Sequence, residues 1–368
     1  MTMERGKETT NGSSQGICVI MAGGRGTRFW PLSRRNRPKQ LQALSSEKSL
    51  LRETYERVAP LVGPARVLVV TSGELAEATA RELPELPAEN VITEPVGRNT
   101  APCAVLGMGV AGRIDPLAPV ALLPADHHIP DGRLFRDQLQ KAFSYAAEQP
   151  TVVTIGIPAV RPETGYGYLK VSPDDAGKDL RAGISFVEKP DFATAESYVR
   201  DGNFFWNSGI FIWNPAWFAE SAARHVPAVT RLMAPAIQSF GTASFPDELN
   251  SAYADCPADS IDFAVMEKLP GYSMLAAAFR WSDIGSWDAW GDLASSLADG
   301  NRGQARLLAL DSRDNIVRST DRLVALLGVD NLIVVDTPDA LLVCRKDDAQ
   351  RIKEIISRLE SEGHEELL

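Results

Sequence analysis

The chain predicts an α/β protein built on a mostly parallel sheet, followed by a small all-β module. Three observations carry this expectation. Between residue 17 and about 156, short, nearly continuous apolar runs alternate with amphipathic stretches, the pattern of parallel strands covered by helices on both faces. From about 164 to 290 the runs become aromatic and punctuated by glycine, as in antiparallel strands. Beyond about 305 come aliphatic pulses separated by small polar turns, too short for helices and too regular for a loop.

The elements follow in order. ICVIM reads as a buried strand, SLLRETYERVAPL as a helix, RVLVVT as a strand and ELAEATAREL as a helix. NVIT, the small-residue helix TAPCAVLGMGVAGRI, the strand PVALLP, the helix LFRDQLQKAFSYAAEQ and the strand TVVTIGI complete the alternating series. TGYGYLKV and ISFVEKP predict antiparallel strands, and FFWNSGIFIW an aromatic strand pair broken at Asn-Ser-Gly. Asp283 in WSDIGSWDAW is expected to leave a short strand. The pulses LLAL, IVR, LVALLGV, NLIVV and ALLVC predict a compact, solenoid-like β module, closed by the amphipathic helix DDAQRIKEIISRLES. The expected divisions are a disordered leader at 1–15, a first domain at 16–300 and the β module with its helix at 301–368.

Composition narrows the class. A length of 368 residues exceeds one small core, and 44% hydrophobic with 23% charged residues is an ordinary globular balance. A formal net charge of −10 argues against a nucleic-acid-binding surface. The positive charge between Arg25 and Lys39 is therefore a local feature. Cys18, Cys103, Cys256 and Cys344 have no metal spacing and read as reduced thiols of a cytoplasmic protein. No apolar run reaches the roughly 18 residues of a membrane span.

The chemistry concentrates at strand ends, where open α/β sheets bind ligands. GGRGTRFWPLSRRNRPKQ leaves the first strand. It is neither a Walker loop nor a dinucleotide fingerprint, since Phe29 stands where the last glycine belongs. Its glycines let backbone N–H groups approach phosphate, Arg25, Arg28 and Lys39 can neutralise a polyphosphate, and Pro31 and Pro38 stiffen the loop. In LPADHHI, Asp126 is either a turn or cap residue or a Mg²⁺ ligand; His127 and His128 read as structural. Asp283 is equally a turn acid or a second carboxylate for the same ion. Glu188 and Lys189 in FVEKP should point to opposite faces of a strand that ends at the site. In EPVGRNTAP, residues Arg98, Asn99 and Thr100 cap the next helix, bind a nucleotide there, or do both.

The ordered series GGRGTRFWPLSRRNRPKQ, EPVGRNTAP, LPADHHI, TGYGYLKV, FVEKP, FFWNSGIFIW, SIDFAVMEK and WSDIGSWDAW resembles the sugar-1-phosphate nucleotidylyltransferases. RNTAP, FFWNSGIF and DIGSW resemble the branch using GTP and mannose 1-phosphate. The resemblance covers the chain from Ile17 to about Lys346. It implies a Rossmann-like nucleotidyltransferase domain with a mixed, mostly parallel sheet and a small C-terminal β-helix-like domain. It implies Arg25 and Lys39 as catalytic, and Gly23, Gly24, Gly26, Thr27, Arg28, Asn99 and Thr100 as nucleotide-binding. Gly167, Glu188, Lys189 and Asn207 would hold the sugar phosphate, and Asp126 and Asp283 the Mg²⁺ cofactor. The expected partners are GTP and mannose 1-phosphate, with no nucleic acid and no membrane. A homodimer through the aliphatic module is left open. Two rival readings are the same chemistry on another sugar and nucleotide, and a non-catalytic regulatory subunit of this fold. The second would be expected to have lost Arg25, Lys39, Asp126 or Asp283.

Overall fold

The computed structural model describes residues 15–24 and 26–368. All but Gln15 of the expected leader, and Arg25, lie outside the described residues. The alternating series forms as read: β1 (Ile17–Met21), α1 (Leu50–Val62), β2 (Val67–Ser72), α2 (Ala76–Glu82), β3 (Val91–Glu94), α3 (Thr100–Ile114), β4 (Val120–Pro124), α4 (Gly132–Glu148) and β5 (Val152–Pro158). There follow β6 (Tyr168–Val171), β7 (Leu180–Val187), α5 (Phe192–Asp201), β8 (Phe204–Trp213), α6 (Pro215–His225), α7 (Pro227–Ser239), α8 (Phe245–Ala254), α9 (Ile261–Ala264), β9 (Tyr272–Ala276) and α10 (Trp287–Leu293).

Among the described residues these strands make one nine-stranded sheet in the order β3-β2-β1-β4-β8-β5-β9-β7-β6. The sheet is mixed. The pairings of β8 with β4, β5 and β6, and of β7 with β6 and β9, are antiparallel, so β7 and β8 run against the direction shared by the other strands. Both faces are covered, and β1 shows how. Ile17 and Val19 pack with α3, α7 and α8 on one side, while Cys18 and Ile20 pack with α1 and α4 on the other.

Two local expectations are corrected. FFWNSGIFIW is one ten-residue strand and not a pair. Gly209, at φ 68°, takes the left-handed conformation, and the Ser208 hydroxyl donates to the Ile155 carbonyl at 2.6 Å. The turn-like residues thus form an irregularity facing Thr154–Gly156 and the strand continues. Asp283 does not leave a strand either: the preceding Ser282 makes only an isolated bridge with His128.

The aliphatic pulses form β10 (Arg302–Leu310), β11 (Ile316–Leu327), β12 (Leu332–Asp336) and β13 (Leu341–Arg345), closed by α11 (Ile352–Glu362). β10, β11 and β12 pair in parallel through short turns, as in a coil of solenoid type, and β13 returns antiparallel. This module shares a core with the glycine loop. Phe29, Trp30 and Leu44 pack with Ile284, Trp287, Trp290, Ile316, Ile333 and Ile352. Trp287 sits at the centre: fully buried, 4.9 Å from the Phe29 ring and 5.4 Å from Trp290, it donates from Nε1 to the Trp30 carbonyl at 3.1 Å. Trp287→Ala is expected to cost about 3–5 kcal/mol of stability. Urea denaturation measures it, and a loss under about 1 kcal/mol would show that this core does not hold the loop.

Candidate active site

The glycine loop is folded back on its own start. Gly26 is at φ 56°, and a Cβ there would lie 2.6 Å from the Lys39 backbone nitrogen, so both conformation and space require glycine. Gln40 fastens the return by donating from Nε2 to the Ala22 carbonyl at 2.7 Å and the Gly24 carbonyl at 2.8 Å. Lys39 is thereby buried with its ammonium directed at β4. Nζ donates to Asp126 Oδ2 at 2.8 Å and to the Asp283 carbonyl, and lies 5.9 Å from the Phe29 ring centroid.

Lys39 therefore joins the two acids picked out as metal ligands. Burial pushes the Asp126 carboxyl up, but the charge of Lys39 and its hydrogen bond hold it below the ordinary aspartate value. The Asp283 carboxylate accepts the Tyr166 hydroxyl at 2.7 Å through Oδ1. Ile284, which follows it, has φ 42°, a strained value for a β-branched residue and one that clusters at functional sites. His127 packs edge-on against Trp281, accepts its indole N–H at 3.2 Å, and is pushed by burial down to about 4, so it is a neutral packing residue.

The four residues expected at a sugar phosphate also meet. Gly167 lies so close to Glu188 that a Cβ would strike the carboxylate, and its carbonyl accepts the Asn207 N–H at 2.8 Å. Glu188 and Lys189 do not point to opposite faces, however. β7 ends at Val187, Lys189 turns at φ 49°, and its Nζ folds back to Glu188 Oε1 at 2.8 Å. Alternation holds only inside a strand. Glu188 Oε2 is buried and has no partner among the described residues, an open acceptor where a hydroxyl would bind.

Asn99 and Thr100 start α3. Asn99, at φ 67° and ψ −167°, holds a conformation that is nearly glycine's alone, and its side chain caps the Thr100 N–H at 2.9 Å. The Thr100 hydroxyl accepts the Ile261 N–H at 2.9 Å, tying the turn to α9. A cavity of about 330 Å³ opens beyond the carboxyl ends of β1, β3 and β4. Gly23, Gly24, Gly26, Asn99, Thr100 and Asp126 are among the residues that line it.

Thr27 and Arg28 are not brought to this cavity. The loop makes a turn of 3-10 helix at Thr27–Phe29 to bury Phe29, and Arg28 reaches Gln350 at 3.5 Å. Arg34 pairs with Asp339 at 2.9 Å and Arg35 with Glu360 at 3.1 Å, so much of the loop's positive charge serves the contact with the C-terminal module.

Comparison with known proteins gives the family of the chain. The nucleotidyl transferase family model matches residues 17–300. The chain belongs to the nucleotidyl transferase family. A MannoseP isomerase/GMP-like beta-helix domain model matches residues 305–359 of this nucleotidyltransferase. It is 38% identical over 353 residues to the xanthan biosynthesis protein XanB of Xanthomonas campestris pv. campestris, covering 95% of this chain and 74% of XanB. It is 35% identical over 355 residues to the mannose-1-phosphate guanylyltransferase of Salmonella muenchen, again 95% of this chain and 74% of the relative. A crystal structure from Thermus thermophilus, described as a mannose-1-phosphate geranyltransferase, superposes with a TM-score of 0.83 at 37% identity, covering 94% of this chain and 99% of that one.

The nucleotidyltransferase site also contains residues that the sequence did not single out. Asp262 lines the cavity and accepts the Asn207 amide at 2.9 Å, linking the two halves of the site. Burial and then the charge of Glu188 push its carboxyl up to about 6. Glu267 accepts the Glu188 N–H at 2.8 Å. Glu94, at the end of β3, accepts the Tyr253 hydroxyl at 2.6 Å, and burial pushes its carboxyl up to about 7. Asp262 and Glu267 sit in the quoted run SIDFAVMEK, whose mix of acids and apolar residues reads equally well as a helix. No helix among the described residues is long and apolar enough to cross a membrane.

Proposed function

We propose that this nucleotidyltransferase transfers GMP from GTP to α-D-mannose 1-phosphate, giving GDP-mannose and pyrophosphate. One observation carries the reading. Lys39, buried beneath a glycine turn on the cavity, is held between Asp126 and Asp283, and Tyr166 connects Asp283 to the Gly167–Glu188–Asn207 cluster. A nucleotide half and a sugar half thus adjoin a single charged point. The names of the relatives supply the substrate pair.

The metal is tested by the donor set. The Asp126 carboxylate and the Asp283 backbone carbonyl meet the Lys39 ammonium, while the Asp283 carboxylate accepts from Tyr166, and both side chains offer hard oxygen ligands. Among the described residues no group of three or more His, Cys, Asp or Glu gathers to hold an ion. Two carboxylates fit Mg²⁺, which takes few protein ligands and completes its shell with phosphate and water. Bound there, Mg²⁺ would supply charge neutralisation to the phosphates.

The reacting groups need little acid–base help. A phosphate oxygen of the sugar phosphate attacks the α-phosphorus of GTP in line, the bond from that phosphorus to the bridging oxygen breaks, and pyrophosphate leaves with the electron pair. The attacking monoester is already an anion near neutral pH, so the site's task is to bring two polyanions together in line. Lys39 offsets the charge on the phosphates, as Arg25 would from the same loop. Glu188 Oε2 and the Gly167 and Asn207 backbone orient the sugar, and Lys189 lies beside them to meet its phosphate. The four cysteines are free thiols, which supports a reducing cytoplasmic location.

Pyrophosphate release tests the reading, with GTP, ATP, UTP and dTTP each crossed with mannose 1-phosphate and glucose 1-phosphate. Release confined to GTP with mannose 1-phosphate and abolished by EDTA is expected. Release with a different pair keeps the chemistry and overturns the substrates.

A further inference from the structure

We propose that the cleft between the β module and the loop after Gln42 is a second anion site, which takes a sugar phosphate through Arg318. The cleft is a cavity of about 380 Å³, walled by residues 43–47 on one side and by Gly303 and Gln304 of β10 and Arg318 of β11 on the other. It shares no lining residue with the cavity beyond β1, β3 and β4.

Arg318 lacks a counterion. Its guanidinium donates to the Ala43 carbonyl and to Gln304 Oε1, both at 3.1 Å, and lies 5.3 Å from the Trp290 ring centroid. Both acceptors are neutral. Arg34, Arg52 and Arg66 are likewise half-buried, and each has a carboxylate against it. Arg318 has none among the described residues, and burial with nothing to offset it pushes the guanidinium down. Charges held out of water are ordinarily paired. Two of its five N–H groups are used, so three remain for the oxygens of a phosphate.

The two walls differ in what they offer a ligand. On the side of the β module the Gln304 amide engages only its oxygen and keeps its NH₂ group, and the Ser295 hydroxyl adds a donor. On the loop side the Ser45 and Ser46 hydroxyls spend their hydrogens on Glu53, at 2.9 and 2.6 Å, so toward a ligand they can only accept. The Glu47 carboxylate beside them is an acceptor too. Donors facing acceptors across a cleft suit a molecule with an anionic end and a hydroxylated end. A bare phosphate would satisfy one wall and meet Glu47 as a like charge. Ala43 stands four residues after Lys39, so the loop wall is continuous with the segment that holds the ammonium at Asp126.

Calorimetric titration of glucose 6-phosphate tests the site, since this sugar has no phosphate at its anomeric carbon to offer the reaction. Wild type is compared with Gln304→Glu and Arg318→Met. Gln304→Glu gives Arg318 an internal carboxylate, and because Gln304 is exposed the fold survives it even where Arg318→Met disturbs the Ala43 loop. Each variant is expected to weaken binding by roughly ten- to a hundredfold, the weight of hydrogen bonds to a charged group. Lys39→Ala is expected to leave the binding unchanged. Wild type is expected to bind inorganic phosphate more weakly than glucose 6-phosphate, and equal affinities would overturn the sugar and leave a site for phosphate alone. No binding by wild type, or binding that Gln304→Glu leaves unaltered, overturns the site. Binding lost in Lys39→Ala but kept in Gln304→Glu would place the ligand beside Asp126 and overturn it as well.

Discussion

Lys39→Ala is expected to lower turnover by about two to three orders of magnitude while the protein stays folded. The side chain is buried, its stem is packed against Gly26, and its only polar partners among the described residues are Asp126 and the Asp283 carbonyl. An ammonium fixed at that point costs no reorganisation when charge builds on the departing pyrophosphate. Lys39→Arg is not expected to rescue, because the planar guanidinium does not fit a pocket shaped by the Gly26 turn. The pH profile separates charge from scaffolding. Lys39 is one of the groups holding the Asp126 carboxyl below its ordinary value, so its loss lets burial push that carboxyl up. If activity needs ionised Asp126, the acidic limb of the profile in Lys39→Ala moves to higher pH. Folded Lys39→Ala with near-normal turnover would remove the catalytic role.

Asp126→Asn is expected to have an effect of similar size, about two to three orders of magnitude in turnover, with a different signature. The amide keeps the shape but halves the carboxylate set available to a divalent ion. The Mg²⁺ concentration needed for half-maximal rate is therefore expected to rise, and calorimetric titration of Mg²⁺ into protein with a bound non-hydrolysable GTP analogue is expected to show weaker binding. Unchanged Mg²⁺ affinity would make Asp126 an anchor for Lys39 alone.

The order of elements was legible because the strands of the first half are compact apolar runs and the helices between them are amphipathic, except α3, which small residues mark. Strand interruption was harder to read. Asn207-Ser208-Gly209 has turn chemistry, but the neighbouring β5 absorbs it as an irregularity, which no local signal reveals. The residues Lys39, Asp126 and Asp283 were legible as chemistry, and the fold brings them together. The use of Arg28, Arg34 and Arg35 was not, since their partners lie about 300 residues further along the chain. Glu94 and Asp262 stayed hidden for the same reason. Their importance comes from burial and from Tyr253 and Asn207, contributed by other elements.

The account holds that the protein aligns and neutralises but never bonds to the nucleotide. The stereochemical course at the α-phosphorus tests this most directly, using the Sp diastereomer of guanosine 5′-O-(1-thiotriphosphate) with mannose 1-phosphate and assigning the configuration of the thio-substituted GDP-mannose. Inversion is expected from a single in-line displacement. Retention would mean two displacements through a nucleotidylated side chain, and would contradict the account.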